Sequence, residues 1–345
     1  MTAEPDGNAG NAGNAGNAGN DEDVAWGIEH LDGTFVHVAV PRTADDPLAV
    51  ALLEGSAASP PVAELLTALS EPADVVYDVG AHLGLVALPL AHRGRIVVGV
   101  EPSTDNHACL ERSADRNGLA DRLGVLRAVM SDADGELSLH AAGPFSHLTT
   151  DGGVPVRAVT ADTIAAETGV WPRVMKLDVE GHELACLRSL ERAARSAGRA
   201  MPDLVVESNG HCQWRLGSSS SELIDTLRSS YRHLYVVGQR TLRPLRVDGV
   251  VRQSVTGMDV LATDRDELPW AIDVAPDEAM LVAELLEEME HPNQWQRRWA
   301  AWAASELPAP WDSDERVLVA LDRLCDDPIT EVRDAASWHR ERSAM

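Results

Sequence analysis

Between Val75 and Thr263 short apolar runs alternate with amphipathic stretches. The runs VVYDVG (75–80), IVVGVE (96–101), LGVLRAVM (123–130), RVMKLD (173–178), DLVVES (203–208), HLYVVG (233–238) and GMDVLAT (257–263) have the length and apolar continuity of buried strands. Helices are expected from the first glycine turn to about Ala91, over 104–117, over 181–196 and over 218–230. Pro89 should kink or shorten the first of them. Asn117-Gly118 supplies a C-terminal cap for the second. GELSLH (135–140) reads as a short extension of the third strand. Strands and helices in this alternation predict an α/β fold, a Rossmann-like doubly wound sheet. Ligands of such sheets bind beyond the carboxyl ends of the strands. The segments to inspect are therefore Asp78–Gly84, Glu101, Met130–Asp132, Asp178–Glu183 and Glu207–His211.

After about residue 266 the pattern becomes wholly helical and repeats. A shift of 36 residues superposes Leu285 on Leu321, Pro292 on Pro328, Arg297 on Arg333, Ala300 on Ala336 and Trp302 on Trp338. The unit resembles HEAT-type repeats, which need stacked neighbours to bury their faces. Two units are few, so this extension is expected to pack on the α/β part or on a protein partner. At the other end, GNAGNAGNAGNAGN (7–20) has no large side chain to set against its ordering entropy and reads as a disordered tail. The expected organisation is a tail over 1–23, an α/β domain over 24–265 and a small all-α extension over 266–345.

Charge narrows the partners. The formal net charge is −26, which disfavours nucleic acid and anionic membrane surfaces. No apolar run reaches transmembrane length, and the N-terminus lacks the basic and apolar regions of a signal peptide. Cys109, Cys186, Cys212 and Cys325 are scattered, with no CxxC pair, as expected of reduced thiols in a cytoplasmic protein. No metal-ligand spacing is evident, and no metal requirement is expected.

The chemistry concentrates at the strand ends. In DVGAHLG (78–84), Gly80 and Gly84 permit close backbone approach to a ligand, with Ala81 and His82 between them. A dinucleotide site would have the spacing G-x-G-x-x-G and would not place Asp78 where a pyrophosphate sits. An acid beside the glycines suits the cationic methionine end of S-adenosyl-L-methionine, although a D-x-G at a strand end also occurs in plain turns. Glu101 follows Gly80 by 21 residues, a spacing at which an acid accepts hydrogen bonds from ribose hydroxyls. Ser131 or Asp132, closing the third strand, is placed to meet an adenine edge.

VMKLDVEGHEL (174–184) holds the chain's one lysine, against 28 arginines. Period-two alternation puts Lys176 and Asp178 on one face. Lysine is a compact charge that can lose its proton when desolvated, so Lys176 marks either a place arginine cannot fill or an ion pair holding Asp178. Glu207 and His211, at the next strand end, add a candidate acid–base pair. Asp178, Lys176, Glu207 and His211 are the candidate catalytic residues.

Together VVYDVGAHLG, VVGVEPSTDNHACLERSADRNGL, AVMSDADGE, VMKLDVEGHE and PDLVVES resemble the FkbM-type family of S-adenosylmethionine-dependent methyltransferases, over about residues 75–210. The resemblance implies a class I methyltransferase sheet of seven strands, the last antiparallel. It also implies O-methylation of a sugar or other natural-product small molecule. Asp78, Gly80 and Gly84 would form the methionine-side loop, Glu101 would take the ribose, and Lys176–Glu183 would border the acceptor pocket. His82 stands where the family commonly has Asn, and His182 where it has Ala. The rival expectation is a non-catalytic scaffold that recruits a partner through its helical repeats.

Overall fold

A computed structural model describes residues 24–31, 34–41, 47–54, 61–140, 146–149, 152–238, 241–245, 258–269, 273–274, a few positions between 282 and 292, 294–305 and 314–343. The Gly/Asn/Ala tract lies outside the described residues. In chain order the elements are β1 (Val24–Leu31), β2 (Thr34–Pro41), α1 (Pro47–Leu53), α2 (Pro61–Leu69), β3 (Val75–Val79), α3 (Ala87–His92), β4 (Ile96–Val100), α4 (Thr104–Arg116) and β5 (Leu123–Leu126). A second group comprises β6 (Val129–Met130), β7 (Gly135–His140), β8 (His147–Thr149), β9 (Val154–Val159), α5 (Ala161–Thr168), β10 (Val174–Leu177), α6 (Glu183–Ala197) and β11 (Asp203–Ser208). Then follow α7 (Gly210–Arg215), α8 (Ser220–Ser230), β12 (His233–Val237), β13 (Thr241–Pro244), β14 (Met258–Thr263), β15 (Asp273–Val274), α9 (Gln294–Ser305), α10 (Glu315–Leu324) and α11 (Thr330–Ser343).

The central sheet runs β15-β13-β12-β14-β11-β10-β3-β4-β5. The strands β5, β4, β3, β10 and β11 are parallel, and β14 lies antiparallel between β11 and β12. The seven expected strands thus form the class I methyltransferase sheet, with the reversal of direction at β14. The sheet has nine strands rather than seven, because β13 and β15 extend the edge beyond β12. Helices α1–α4 cover one face of the sheet and α5, α6 and α8 the other, each layer closing its own apolar core. The hairpin β1–β2 joins the first layer.

Three expectations need correction. The expected third strand is two strands. Leu123–Leu126 pairs with β4 in the central sheet, whereas Val129–Met130 pairs with β9 in a separate sheet of order β6-β9-β7-β8. GELSLH belongs to that second sheet and does not extend the first. The first helix begins at Ala87, so residues 80–86 form a long turn. Pro89 is then its third residue, where a helix has no use for the N–H, and the helix is short, six residues long.

Beyond the central sheet, α9, α10 and α11 close a core of their own. Leu285 and Leu321 are buried, as are Ala300 and Ala336. The Arg297 and Arg333 guanidiniums both donate to backbone carbonyls at the preceding turn, of Pro292 and Asp327. No described helix is long and apolar enough to cross a membrane.

Candidate active site

Strand alternation and register build the site. Val76, Val97, Val174, Val205 and Leu261 point into the first apolar layer. Counting in twos, Asp78, Lys176, Asp178, Glu207 and Asp259 leave the sheet on that same face, at its carboxyl edge. Register sets Lys176 beside Asp78 and Asp259 beside Glu207. Charged groups from four adjacent strands therefore share one patch.

The turn after β3 is shaped by close contacts. Gly80 has φ +83°, and a Cβ there would lie 1.7 Å from the Asp178 carbonyl oxygen. At Gly84 (φ +89°) a Cβ would lie 2.3 Å from Leu110 Cδ1. His82 has φ +50°, a left-handed conformation in which Asn, Asp and His are enriched, so a histidine can stand where the family has Asn. The Gly80 and Ala81 amides both donate to the Val100 carbonyl, fastening the turn to β4. The His82 amide donates to Glu101 Oε2 at 2.8 Å, and the Ser103 amide to Glu101 Oε1 at 2.8 Å. Each Glu101 oxygen keeps lone-pair capacity for a further donor. Burial raises the pKa of this carboxyl, against those two amides.

Lys176 Nζ lies 3.0 Å from Asp178 Oδ2, 3.4 Å from the Gly80 carbonyl and 3.7 Å from Asp78 Oδ1. Burial would lower the lysine pKa, but Asp178 and Asp78 outweigh it and hold the ammonium charged. Asp78 is fully buried, and neither of its oxygens accepts a hydrogen bond among the described residues. Burial lifts its pKa to about 6 despite Lys176.

Asp178, Glu180 and Glu207 bring carboxylate oxygens within 4.8 Å of one another, close enough to face a common cation and for Asp178 to raise the pKa of both glutamates. Glu180 has φ +53°, a strained conformation for a non-glycine residue. Its Oε2 accepts from the Cys212 thiol at 3.1 Å. Burial, then Asp178, raises its pKa to about 7. Glu207 Oε2 is sealed from solvent without a hydrogen-bond partner among the described residues, and burial followed by Asp178 pushes this carboxyl well up. Asp259 is raised to about 6, first by burial and then by Asp178. Glu183 turns inward, accepting from the Val179 and Gly181 amides at 3.1 and 3.0 Å, so it braces the turn rather than facing an acceptor.

Ser131 follows the second-sheet strand β6 and meets His182 Nε2 at 2.9 Å, while Asp132 is exposed. His211 lies on α7, and its side chain is outside the described positions. Asp259 and Cys212 were not among the candidates read from the sequence. Asp259 stands out in the sequence as the lone charge of the apolar run GMDVLAT, but only its register against Glu207 brings it to the site. Cys212 reaches Glu180 through α7, a helix too short to announce itself by periodicity.

A family model described as "Methyltransferase FkbM domain" matches residues 78–234. Over 185 residues the chain is 30% identical to the hexuronic acid methyltransferase AglP of Haloferax volcanii, an alignment covering 52% of this chain and 76% of that protein. Among solved structures it is similar to the Thermus thermophilus 16S rRNA N2 G1207 methyltransferase RsmC in complex with AdoMet and guanosine (TM-score 0.38, 17% identity), covering 70% of this chain and 51% of that one. The chain thus spans about half the length of RsmC. It is also similar to an SAM-dependent O-methyltransferase of Thermotoga maritima (TM-score 0.31, 15% identity), covering 60% of this chain and 64% of that one. With the FkbM domain spanning the glycine turn, Glu101 and the acidic strand ends, and a relative aligned over three quarters of its own length, the chain belongs to the FkbM methyltransferase family.

Proposed function

We propose that the chain is an S-adenosyl-L-methionine-dependent O-methyltransferase acting on a hydroxyl of a sugar or another natural-product small molecule. The observation that carries this is Asp78. A fully buried carboxylate beside a glycine turn, which Lys176 neutralises from 3.7 Å without coming within hydrogen-bond distance, has lone pairs to spare for donors that a ligand supplies. An α-ammonium group offers such donors, and Glu101 has the remaining lone pairs for ribose hydroxyls. The residues therefore fit the cofactor, with Asp78, Gly80, Ala81, His82 and Gly84 at its methionine side, Glu101 at the ribose and Ser131 and Asp132 at the adenine. Bound, S-adenosylmethionine supplies an electrophilic methyl group on a sulfonium.

The chain's own part is to align the acceptor, exclude water and take a proton. Glu180, whose carboxyl burial and then Asp178 raise to about 7, is suited to receive the acceptor's hydroxyl proton. Asp178 and Glu207 share its patch, and Lys176 keeps Asp178 in place. The sugar class is supported by the name of the Haloferax relative, a hexuronic acid methyltransferase. Placement in the cytoplasm, and a protein partner or self-packing for residues 266–345, belong to the same proposal.

Calorimetric titration with S-adenosylmethionine and S-adenosylhomocysteine, with NADH as control, tests the cofactor. Micromolar binding of both sulfur compounds is expected. Glu101→Ala should weaken it at least about tenfold, roughly 1.4 kcal/mol. Release of S-adenosylhomocysteine in the presence of neutral sugars and uronic acid glycosides then tests the acceptor. Absence of binding by the wild type would turn attention to a scaffold role.

A further inference from the structure

Helix α6 carries a polar stripe on the side that meets the second sheet. His182, at its N-cap, bonds the Ser131 hydroxyl at 2.9 Å. One turn on, the Cys186 thiol donates to the Met130 carbonyl at 3.1 Å. Ser189 Oγ accepts from the Ala161 amide at 3.0 Å, and Arg192 donates to the Asp132 carbonyl. Cys186 and Arg192 grip the backbone of the 130–132 loop, which is further fixed by the Ser131 amide on the Val159 carbonyl at 2.8 Å, while Ser189 grips backbone at the start of α5. His182 alone in this stripe spends its bond on a side-chain hydroxyl, so what it fixes is the direction of that hydroxyl. It is also two residues from Glu180, and so ties the acceptor-side turn to the loop proposed to meet the adenine. Burial lowers the pKa of its imidazole, with Asp132 opposing, which keeps the ring uncharged and able to accept a hydrogen bond.

A serine hydroxyl has one proton. His182 Nε2 at 2.9 Å is a better acceptor for it than Asp132 Oδ1 at 3.5 Å. With the proton committed to His182, Ser131 Oγ offers only lone pairs to a ligand. We propose that His182 is a positioning residue that orients Ser131 as an acceptor for the 6-amino group of adenine, and thereby sets the cofactor site's preference for adenine over a 6-oxopurine. This rests on the S-adenosylmethionine reading and assigns the Nδ1–H tautomer to His182.

The test is calorimetry on the full chain with S-adenosylhomocysteine and its deaminated analogue S-inosylhomocysteine. The wild type should prefer the adenine compound. His182→Ala should weaken S-adenosylhomocysteine about three- to tenfold, one hydrogen bond's worth, while the inosine compound, whose 6-oxo group can then accept from the freed hydroxyl, binds no worse, so the preference collapses. Ser131→Ala should do the same, and the double variant should add nothing. His182→Gln, whose amide oxygen reaches about as far as Nε2, should restore the preference. Melting temperatures near that of the wild type are expected for each variant. An equal loss for both compounds in His182→Ala would reduce His182 to a structural strut and overturn the proposal, as would no change in either. Failure of the wild type to bind S-adenosylhomocysteine would instead remove the cofactor reading, and the proposal with it.

Discussion

Lys176 is the one lysine of a chain with 28 arginines, and its surroundings give the reason. Asp178, the Gly80 carbonyl and Asp78 lie at 3.0, 3.4 and 3.7 Å around a single nitrogen, an arrangement that suits a compact ammonium with three donors. A planar guanidinium is larger and places its donors in a flat fork. Lys176→Arg is therefore expected to destabilise the protein although charge is conserved. Lys176→Met leaves Asp78 buried without a counter-charge and should cost about 3–5 kcal/mol. Urea denaturation of both variants checks this, and an Arg variant as stable as wild type would show that size plays no part. Glycines give a second contrast. Gly80→Ala forces a Cβ into the Asp178 backbone and should abolish cofactor binding. Gly118 also has positive φ but nothing within 4 Å, so Gly118→Ala should cost only about 1 kcal/mol of backbone strain and leave binding intact.

At the scale of elements, side chains hold what the sheet does not. The Asn117 amide group accepts from the His37 amide at 2.9 Å and donates to the His37 carbonyl at 2.7 Å, so the end of α4 pairs with β2 as a neighbouring strand would. Ser113 Oγ adds a bond from the Ala39 amide at 2.8 Å. Asn117→Ala should lower stability by about 1–3 kcal/mol and hasten proteolysis within residues 24–41. Unchanged cleavage would mean that apolar packing alone docks the hairpin. The sequence marked Asn117 only as a helix cap, because its long-range partner lies 80 residues away. The same limit governs the rest. VVYDVG, IVVGVE, RVMKLD and DLVVES announced themselves by apolar continuity, and the strand ends Asp78, Glu101, Asp178 and Glu207 followed from them. LGVLRAVM hid a change of sheet at Arg127-Ala128, because the run gives no sign of which partner each half pairs with. The hairpin β1–β2 and helix α7 were not foreseen. Asp259 joined the site only through its register against Glu207, a pairing between strands that no local pattern encodes.

At the scale of the whole molecule, the excess of acid is buried as well as exposed. Asp78 and Asp259 titrate at about 6, and Glu180 and Glu183 at about 7, in every case chiefly because burial disfavours the charged form. In the unfolded chain the same groups titrate near pH 4. Folded-state values above unfolded ones mean that between about pH 4 and pH 7 the folded protein binds more protons than the unfolded chain. Their contribution to stability is fully present below the unfolded values and is lost as pH rises through 6 and 7. The melting temperature should therefore fall from pH 5 to pH 8, and the net charge of −26 adds repulsion in the same direction. Glu180→Gln removes one such carboxylate while keeping its volume, so it should flatten the profile and raise the melting temperature most at pH 8. Bound cofactor acts in the opposite sense, since an ammonium beside Asp78 favours the carboxylate. S-adenosylhomocysteine should then stabilise the protein more at pH 8 than at pH 5.5, with the difference much reduced in Asp78→Asn. A melting temperature that rises from pH 5 to pH 8 would show that these carboxyls stay ionised in the folded protein, and that Lys176 and water compensate them more fully than their burial implies.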